Sequence, residues 1–518
     1  MSQQSINPLA SIHPIMAISS AGLVGAFVLF TLLSPQVADA LYNSARDFIA
    51  TELSWYYIAL MNLYIAVALV LVFSKYGKIR LGADTDRPEF GYFAWFSMLF
   101  GAGIGIAILF WSIAEPMYYL QSNPFVTDDQ SMTAEAAQVA MRITIFHWGL
   151  HGWALYAILG MCFAYFSYRK GLPLSIRSAL YPVLGDRIYG PIGYTADLLA
   201  VLGTVFGIAT SLGMGAQQIN AGINYLIGID ISINTQIVLI GAISIVATVS
   251  VLTGINRGIR ILSELNMRLT MLILALFFIF GPTAYLVSSL GSNTLDYIAN
   301  APALGAWLAP AQHSQWQSDW TIFYWGWWIA WSPFTGIFIA RISRGRTIRE
   351  FLLGVLGAPT VLTILWITIF GNTAMHIELF GDGGVAAAVN ADHTTALFKT
   401  IELMDLGLWL TGAMATICTV MLATYFVTSA DSATLVICTL VAMGDNNPSA
   451  RLRIFWGIAI AAVAAVLLFA GGLQALQTAS IAAALPFSVV LLLATYGLGK
   501  SLYQEGQTLN NNNQQQEG

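Results

Sequence analysis

Twelve apolar runs, each long enough to cross a bilayer, leave this chain few folds to choose from. They lie near 15–34, 55–74, 92–120, 139–167, 188–220, 234–253, 266–290, 318–341, 350–374, 406–442, 453–471 and 478–499. About 20 apolar residues span the hydrocarbon core as a helix. Within lipid only helices and closed barrels satisfy their own backbone hydrogen bonds. Charged residues make up 9% of the chain and the mean hydropathy is +0.71, whereas soluble proteins carry about 25% charged residues. The chain therefore reads as an all-α polytopic membrane protein of 12 transmembrane helices.

The basic residues orient it. Of 21 Lys and Arg, 18 follow even-numbered runs, among them Lys75, Arg80, Arg169, Arg177, Arg341, Arg344, Arg346 and Arg349. Only Arg46, Arg142 and Lys399 fall on the other side. The positive-inside rule then puts the even-to-odd loops and both termini in the cytoplasm. The net charge of −5 is spread thinly, and no basic patch suits nucleic acid. Cys162, Cys418 and Cys438 lie inside apolar runs and make no disulfide framework. No Lys or Arg precedes the first run, which is expected to be a retained span. The closing QTLNNNNQQQEG is expected to be disordered.

The eighth run carries the densest chemistry. WTIFYWGWWIAWSPFTGIF, from Trp320 to Phe338, holds five tryptophans and Pro333. At about 100° per residue, Trp327, Trp331, Phe334 and Phe338 share one face, and Trp328 and Trp331 can look into one cavity. Indole faces are negative and attract cations. A cation without hydrogen-bond donors, such as a quaternary ammonium, suits a cage of them. Membrane-interface or core aromatics are the plainer alternative. In the fourth run, HWGLHGWALY places Trp148, Trp153 and Tyr156 as a possible second wall. His147 and His151 stand at i, i+4 with no third metal ligand evident, so packing or hydrogen bonding suits them better.

The third run contains Gly101, Gly103 and Gly105, then Glu115-Pro116. Glycines at i, i+2, i+4 favour a locally unwound backbone, which is tolerated at membrane depth only beside protein or a polar cavity. Secondary transporters bind solute and ions at such breaks; a small-residue helix contact is the alternative. Thr204, Thr210 and Ser211 give the fifth run a hydroxyl-rich face, and Thr428-Ser429-Ala-Asp431-Ser432 stands in the tenth. Neutral hydroxyls suit a dehydrated Na⁺. Asp431 is a functional candidate or a helix-end pairing group. The segment 292–316 is expected outside, with a possible surface-lying helix.

Taken together, GAGIG, HWGLHGWALY, the run from Trp320 through Phe351, and TSADS resemble the betaine/carnitine/choline transporter family, from about Pro88 to the twelfth run. The resemblance implies a leucine-transporter-like fold: a tail (1–14), two peripheral spans (15–91), a first inverted repeat (92–290), an external connection (291–317), a second inverted repeat (318–500) and a disordered tail (501–518). It also implies a homotrimer. The family's aromatic box falls on Trp148, Trp153, Tyr156 and Trp328, with Trp327 and Trp331 on the permeation path. Its main sodium site falls on the carbonyls of Gly101 and Ile104 and the hydroxyls of Thr428 and Ser429. A second sodium site would use Thr204 and Phe334. There the sequence departs, with Ile208 where sodium-coupled betaine carriers have a second Thr. Met267 stands where sodium-independent carnitine exchangers have Arg, and Ala107 where choline carriers have Asp.

The resulting expectation is Na⁺-coupled import of a zwitterionic onium solute, most of all glycine betaine, across a bacterial inner membrane. Its carboxylate would lie toward the backbone of Ala102, Gly103 and Gly105. Dimethylsulfoniopropionate, carnitine or choline, and Na⁺-independent or H⁺-coupled transport, are the alternatives. No cofactor beyond Na⁺ is expected. A membrane enzyme lacks convergent catalytic groups here, and a channel would want a repeated pore segment. Osmosensing members carry long charged tails, so gating through a tail is not expected.

Overall fold

The computed structural model describes residues 14–103, 105–253, 258–445 and 447–517. Regular structure among them is helical: α1 (Pro14–Leu33), α2 (Pro35–Glu52), α3 (Ser54–Phe73), α4 (Tyr92–Gly103), α5 (Gly105–Gln121), α6 (Ala134–Trp148) and α7 (Leu150–Ala164). Two short turns, α8 (Ile176–Ala179) and α9 (Tyr181–Leu184), lead into the long α10 (Pro191–Ile227), α11 (Ile233–Thr253) and α12 (Arg260–Phe280). Next come α13 (Thr283–Ala306), α14 (Ser314–Gln317), α15 (Phe323–Ile342) and α16 (Ile348–Phe380). The chain ends with α17 (Val385–Asp392), α18 (Ala396–Leu403), α19 (Leu408–Val441) and α20 (Ala450–Glu517), the last kinked at Gly471-Gly472.

Ten stretches are long and apolar enough to cross a membrane, or eleven if α4 and α5 form one bent span. The molecule is a multi-pass membrane protein. α15 is not among those stretches, because its indole and hydroxyl groups dilute its hydropathy. It is nonetheless the centre of the fold: every residue from Phe323 to Ala340 is buried, as expected of a helix surrounded by others. Pro333 leaves the Ile329 carbonyl without its helical partner. The Ser332 hydroxyl donates to that oxygen at 2.7 Å and keeps the helix continuous. α10 lies close against α15, because a Cβ at Gly203 would sit 3.1 Å from the Ala330 carbonyl oxygen and one at Gly207 3.3 Å from the Trp331 backbone.

Several boundaries differ from the sequence reading. The region 15–91 holds three helices, the additional one being α2, whose amphipathic pattern escapes a search for apolar runs. The run 266–290 is cut at Gly281-Pro282, and a separate helix, α13, begins at Thr283. α17 and α18, too short to register as runs, lie between α16 and α19. The tail expected to be disordered from 501 instead continues α20, where Glu505 accepts from Tyr165 Oη at 2.6 Å, Arg169 Nε at 2.5 Å and Lys170 Nζ at 2.7 Å.

The arginine cluster anchors the loop before α4. Arg346 Nη2 donates to the Phe90 carbonyl at 2.8 Å, Arg349 Nε to that of Val72 at 2.8 Å, and Arg344 Nε to Asp86 Oδ2 at 3.2 Å. Backbone bonds between Ile79–Leu81 and Gly345–Ile348 join the same two loops.

Candidate functional site

The fourth run is not one rod. Gly149 separates α6 from α7 with φ −93° and ψ −139°. A Cβ there would lie 2.7 Å from both the Ile145 carbonyl and the Tyr297 hydroxyl, so no side chain fits. Trp148 ends one helix, and Trp153 and Tyr156 sit on the next.

Five of the six expected aromatics line one cavity: Trp148, Tyr156, Trp327, Trp328 and Trp331. Trp328 is the hub. Its ring centroid lies 4.7 Å from that of Tyr156, 5.9 Å from Trp153 and 6.3 Å from Trp148. Its seat is cut for an indole, since a Cβ at Gly152 would fall 2.4 Å from the ring. Trp153 stands behind, edge-on to Tyr156 and Trp328, and does not line the cavity. Along α15, Phe323, Trp327, Trp331, Phe334 and Phe338 form a ladder with centroid spacings of 5.5, 5.8, 6.1 and 6.3 Å. All of these rings are at most 3% exposed. The cavity measures about 10 Å³, room for roughly one water molecule. This is a closed cage that must widen to admit a larger guest. The Nε1 groups of Trp327 and Trp331 are buried without a hydrogen-bond partner.

The glycine run is helical up to Gly103 and again from Gly105. α4 and α5 meet at a 62° bend. A Cβ at Gly103 would lie 2.5 Å from the Trp153 ring, and one at Gly105 2.1 Å from the Tyr425 ring. Gly101 faces Ser263 of α12 and Tyr425 of α19. Ile104 lies outside the described residues, as does the side chain of Ala102. On α19, Thr428 Oγ1 accepts from Asn266 Nδ2 at 3.2 Å and donates to the Tyr425 carbonyl at 3.0 Å. Ser429 Oγ and Asn266 Oδ1 are buried without partners. Such orphaned oxygens fit a hard cation, which takes oxygen ligands. Thr204 Oγ1 is likewise unpartnered, and Phe334 and Ile208 are fully buried. Met267 is buried, whereas the Arg268 side chain is 68% exposed and turned toward Glu264.

Asp431 accepts from Ser250 Oγ at 2.5 Å and Ser432 Oγ at 3.2 Å, hydroxyls rather than arginines. The His147/His151 pair holds no metal cluster among the described residues. His151 stacks on Trp325, and His147 joins Glu115. An apolar surface groove of about 470 Å³, lined by residues such as Phe93, Met271 and Val361, is separate from the cage.

A model of the betaine/carnitine/choline family transporters matches residues 14–507. The chain belongs to this family. The betaine/carnitine/choline family consists of transporters, which sets enzymatic readings of the cage aside. The chain is 44% identical to the glycine betaine transporter OpuD of Bacillus subtilis, over 93% of each chain. It is 41% identical to a glycine betaine transporter of Acinetobacter baylyi, over 97% of this chain and 75% of the relative. It is also 40% identical to that organism's osmo-independent choline transporter BetT1, over 98% and 96%.

Sequence reading missed the group behind the cage. Glu115 is fully buried and accepts from Trp148 Nε1 at 2.7 Å and Tyr324 Oη at 2.5 Å, with His147 Nδ1 at 2.8 Å from its other oxygen. A carboxylate inside an apolar run beside Pro116 was the available signal.

Proposed function

We propose that this protein imports a zwitterionic quaternary ammonium or sulfonium solute, most fittingly glycine betaine, coupled to inward Na⁺ movement by alternating access. The observation that carries this reading is the convergence of Trp148 and Tyr156 on Trp327, Trp328 and Trp331 around one cavity. Each cation–π contact contributes roughly 0.5–2 kcal/mol, so three or four support micromolar to millimolar binding after desolvation. The unpartnered indole N–H groups of Trp327 and Trp331 favour a solute with an acceptor end, because an unmet buried donor costs about 1–3 kcal/mol. The carboxylate would take these donors or the backbone of Ala102, Gly103 and Gly105, and the bend between α4 and α5 supplies a hinge.

Na⁺ would be held by Thr428 and Ser429 with the carbonyls of Gly101 and Ile104. Thr204 and Phe334 would serve a second ion more weakly, since Ile208 offers no oxygen. One inward Na⁺ gains about 2.3 kcal/mol per 100 mV. The proposed setting is a bacterial inner membrane, with 12 spans in two inverted repeats, cytoplasmic termini and a homotrimeric assembly. Replacing Na⁺ by K⁺ in reconstituted vesicles should abolish accumulation of radiolabelled glycine betaine; unchanged accumulation would overturn the coupling.

A second reading is Na⁺-independent or H⁺-coupled transport of choline, carnitine or dimethylsulfoniopropionate. The similarity to the choline transporter BetT1 favours it. A competition panel of these solutes separates the two.

A further inference from the structure

The two cage indoles that hydrogen-bond are both tied to one buried acid–imidazole unit. Trp148 Nε1 donates to Glu115 Oε2 at 2.7 Å, and Trp328 Nε1 donates to the backbone carbonyl of His147 at 3.1 Å. His147 Nδ1 lies 2.8 Å from Glu115 Oε1, and its Nε2 lies 3.1 Å from Thr321 Oγ1. Indole N–H can only donate, so Glu115 Oε2 is an acceptor. Among the described residues no Lys or Arg pairs with Glu115. An acid buried in a span and paired with an imidazole rather than with Lys or Arg is costly and needs a reason to be there.

We infer that Glu115 is a positioning residue that sets both the orientation of the Trp148 ring and its attraction for cations. A carboxylate accepting from an indole N–H makes a charge-assisted hydrogen bond. In a low-dielectric interior such bonds polarise the groups that make them. Electron density shifts from the N–H toward the ring, and the π face that the cavity sees becomes more negative. The Glu115 charge, one indole away, adds attraction for an onium guest without touching it. Tyr324 Oη donates to the same oxygen at 2.5 Å and draws off part of that effect.

This inference rests on the cage reading, and its test separates the two. Binding of glycine betaine and of 3,3-dimethylbutanoate, the same shape with carbon in place of the charged nitrogen, is measured by calorimetry on the full chain in nanodiscs. The readout is the ratio of the two affinities, which does not depend on the fraction of protein folded. Wild type should prefer the onium; no preference overturns the cage reading itself. In Glu115→Gln the preference should fall about three- to tenfold, a share of one cation–π contact. Equal weakening of both ligands would mean a purely structural role and overturn the inference while leaving the cage intact. Should that variant fail to fold, Tyr324→Phe carries the test. It frees Glu115 Oε2 for Trp148, so the preference should rise, and an unchanged or lower ratio overturns the inference.

Discussion

The Cβ that Gly103 lacks would fall 2.5 Å from Cη2 of the Trp153 indole. The glycine at the end of α4 and the tryptophan behind the cage are thus one packing unit. The bend needs freedom of backbone, and the ring needs the space a side chain would fill. Gly103→Ala should displace Trp153 and, through it, Trp328, at a cost of about 1–3 kcal/mol for overpacking. Uptake should fall several-fold, while Gly25→Ala, where a Cβ meets nothing within 4 Å, should not change it. Equal uptake in the two variants would disprove the coupling.

Trp328 meets the rings of Trp148 and Tyr156 in the cavity and of Trp153 behind it, so its loss should be felt strongly. Trp328→Leu should raise the KM for glycine betaine roughly two- to thirtyfold, the range of one cation–π contact. Trp153→Leu, behind the cavity, should act mainly through displaced neighbours, with a smaller change. Radiolabelled uptake over a concentration series measures both. Intact affinity in Trp328→Leu would remove the cage from the mechanism.

The Ser332 hydroxyl stands in for the N–H that Pro333 lacks. Ser332→Ala leaves the Ile329 carbonyl buried without its donor, a cost of about 1–3 kcal/mol. The detergent-solubilised variant should melt several degrees lower. Combining it with Pro333→Ala should recover part of the loss, because the restored N–H takes the same carbonyl.

What the sequence made visible, and what it hid, follows from range. The ladder of α15 was legible because helical spacing alone places Trp327, Trp331, Phe334 and Phe338 on one face, and they stack so. The bend at the glycines was legible for the same local reason. Glu115 was not, because it lies 33 residues from Trp148 and 209 from Tyr324, and only the fold brings them together. The family resemblance placed Trp153 in the box, and the structure sets its ring behind those of Tyr156 and Trp328. α17 and α18 left no apolar run to read.

Thr428 and Ser429 differ in what they already bond. Thr428 is engaged by Asn266 and the Tyr425 carbonyl, whereas Ser429 Oγ has no partner. Ser429→Ala should therefore cost little stability yet weaken the Na⁺ dependence of uptake about tenfold or more. Thr428→Ala should lower both. Titrating Na⁺ at fixed solute, alongside thermal melting, tells them apart. A Ser429→Ala variant with unchanged Na⁺ dependence would exclude this oxygen as a ligand.

His393, in the turn between α17 and α18, stacks flat on Trp111 at 5.8 Å with an interplanar angle of 5°. Its Nε2 is buried without a partner. Burial pushes the imidazole below its ordinary value, and the Asp392 carboxylate offsets this only in part. The opened segment regains an ordinary imidazole, with a pKa of about 6.5. Above that pH both states are neutral and the stack keeps its full stability. As pH falls below it, the open state binds a proton that the packed state refuses, so opening becomes easier until the packed imidazole also titrates. Hydrogen exchange across 385–403, corrected for intrinsic rates, should show protection falling between about pH 7 and 5.5. His393→Gln should flatten that dependence. An equal slope in the variant would assign the effect to another group.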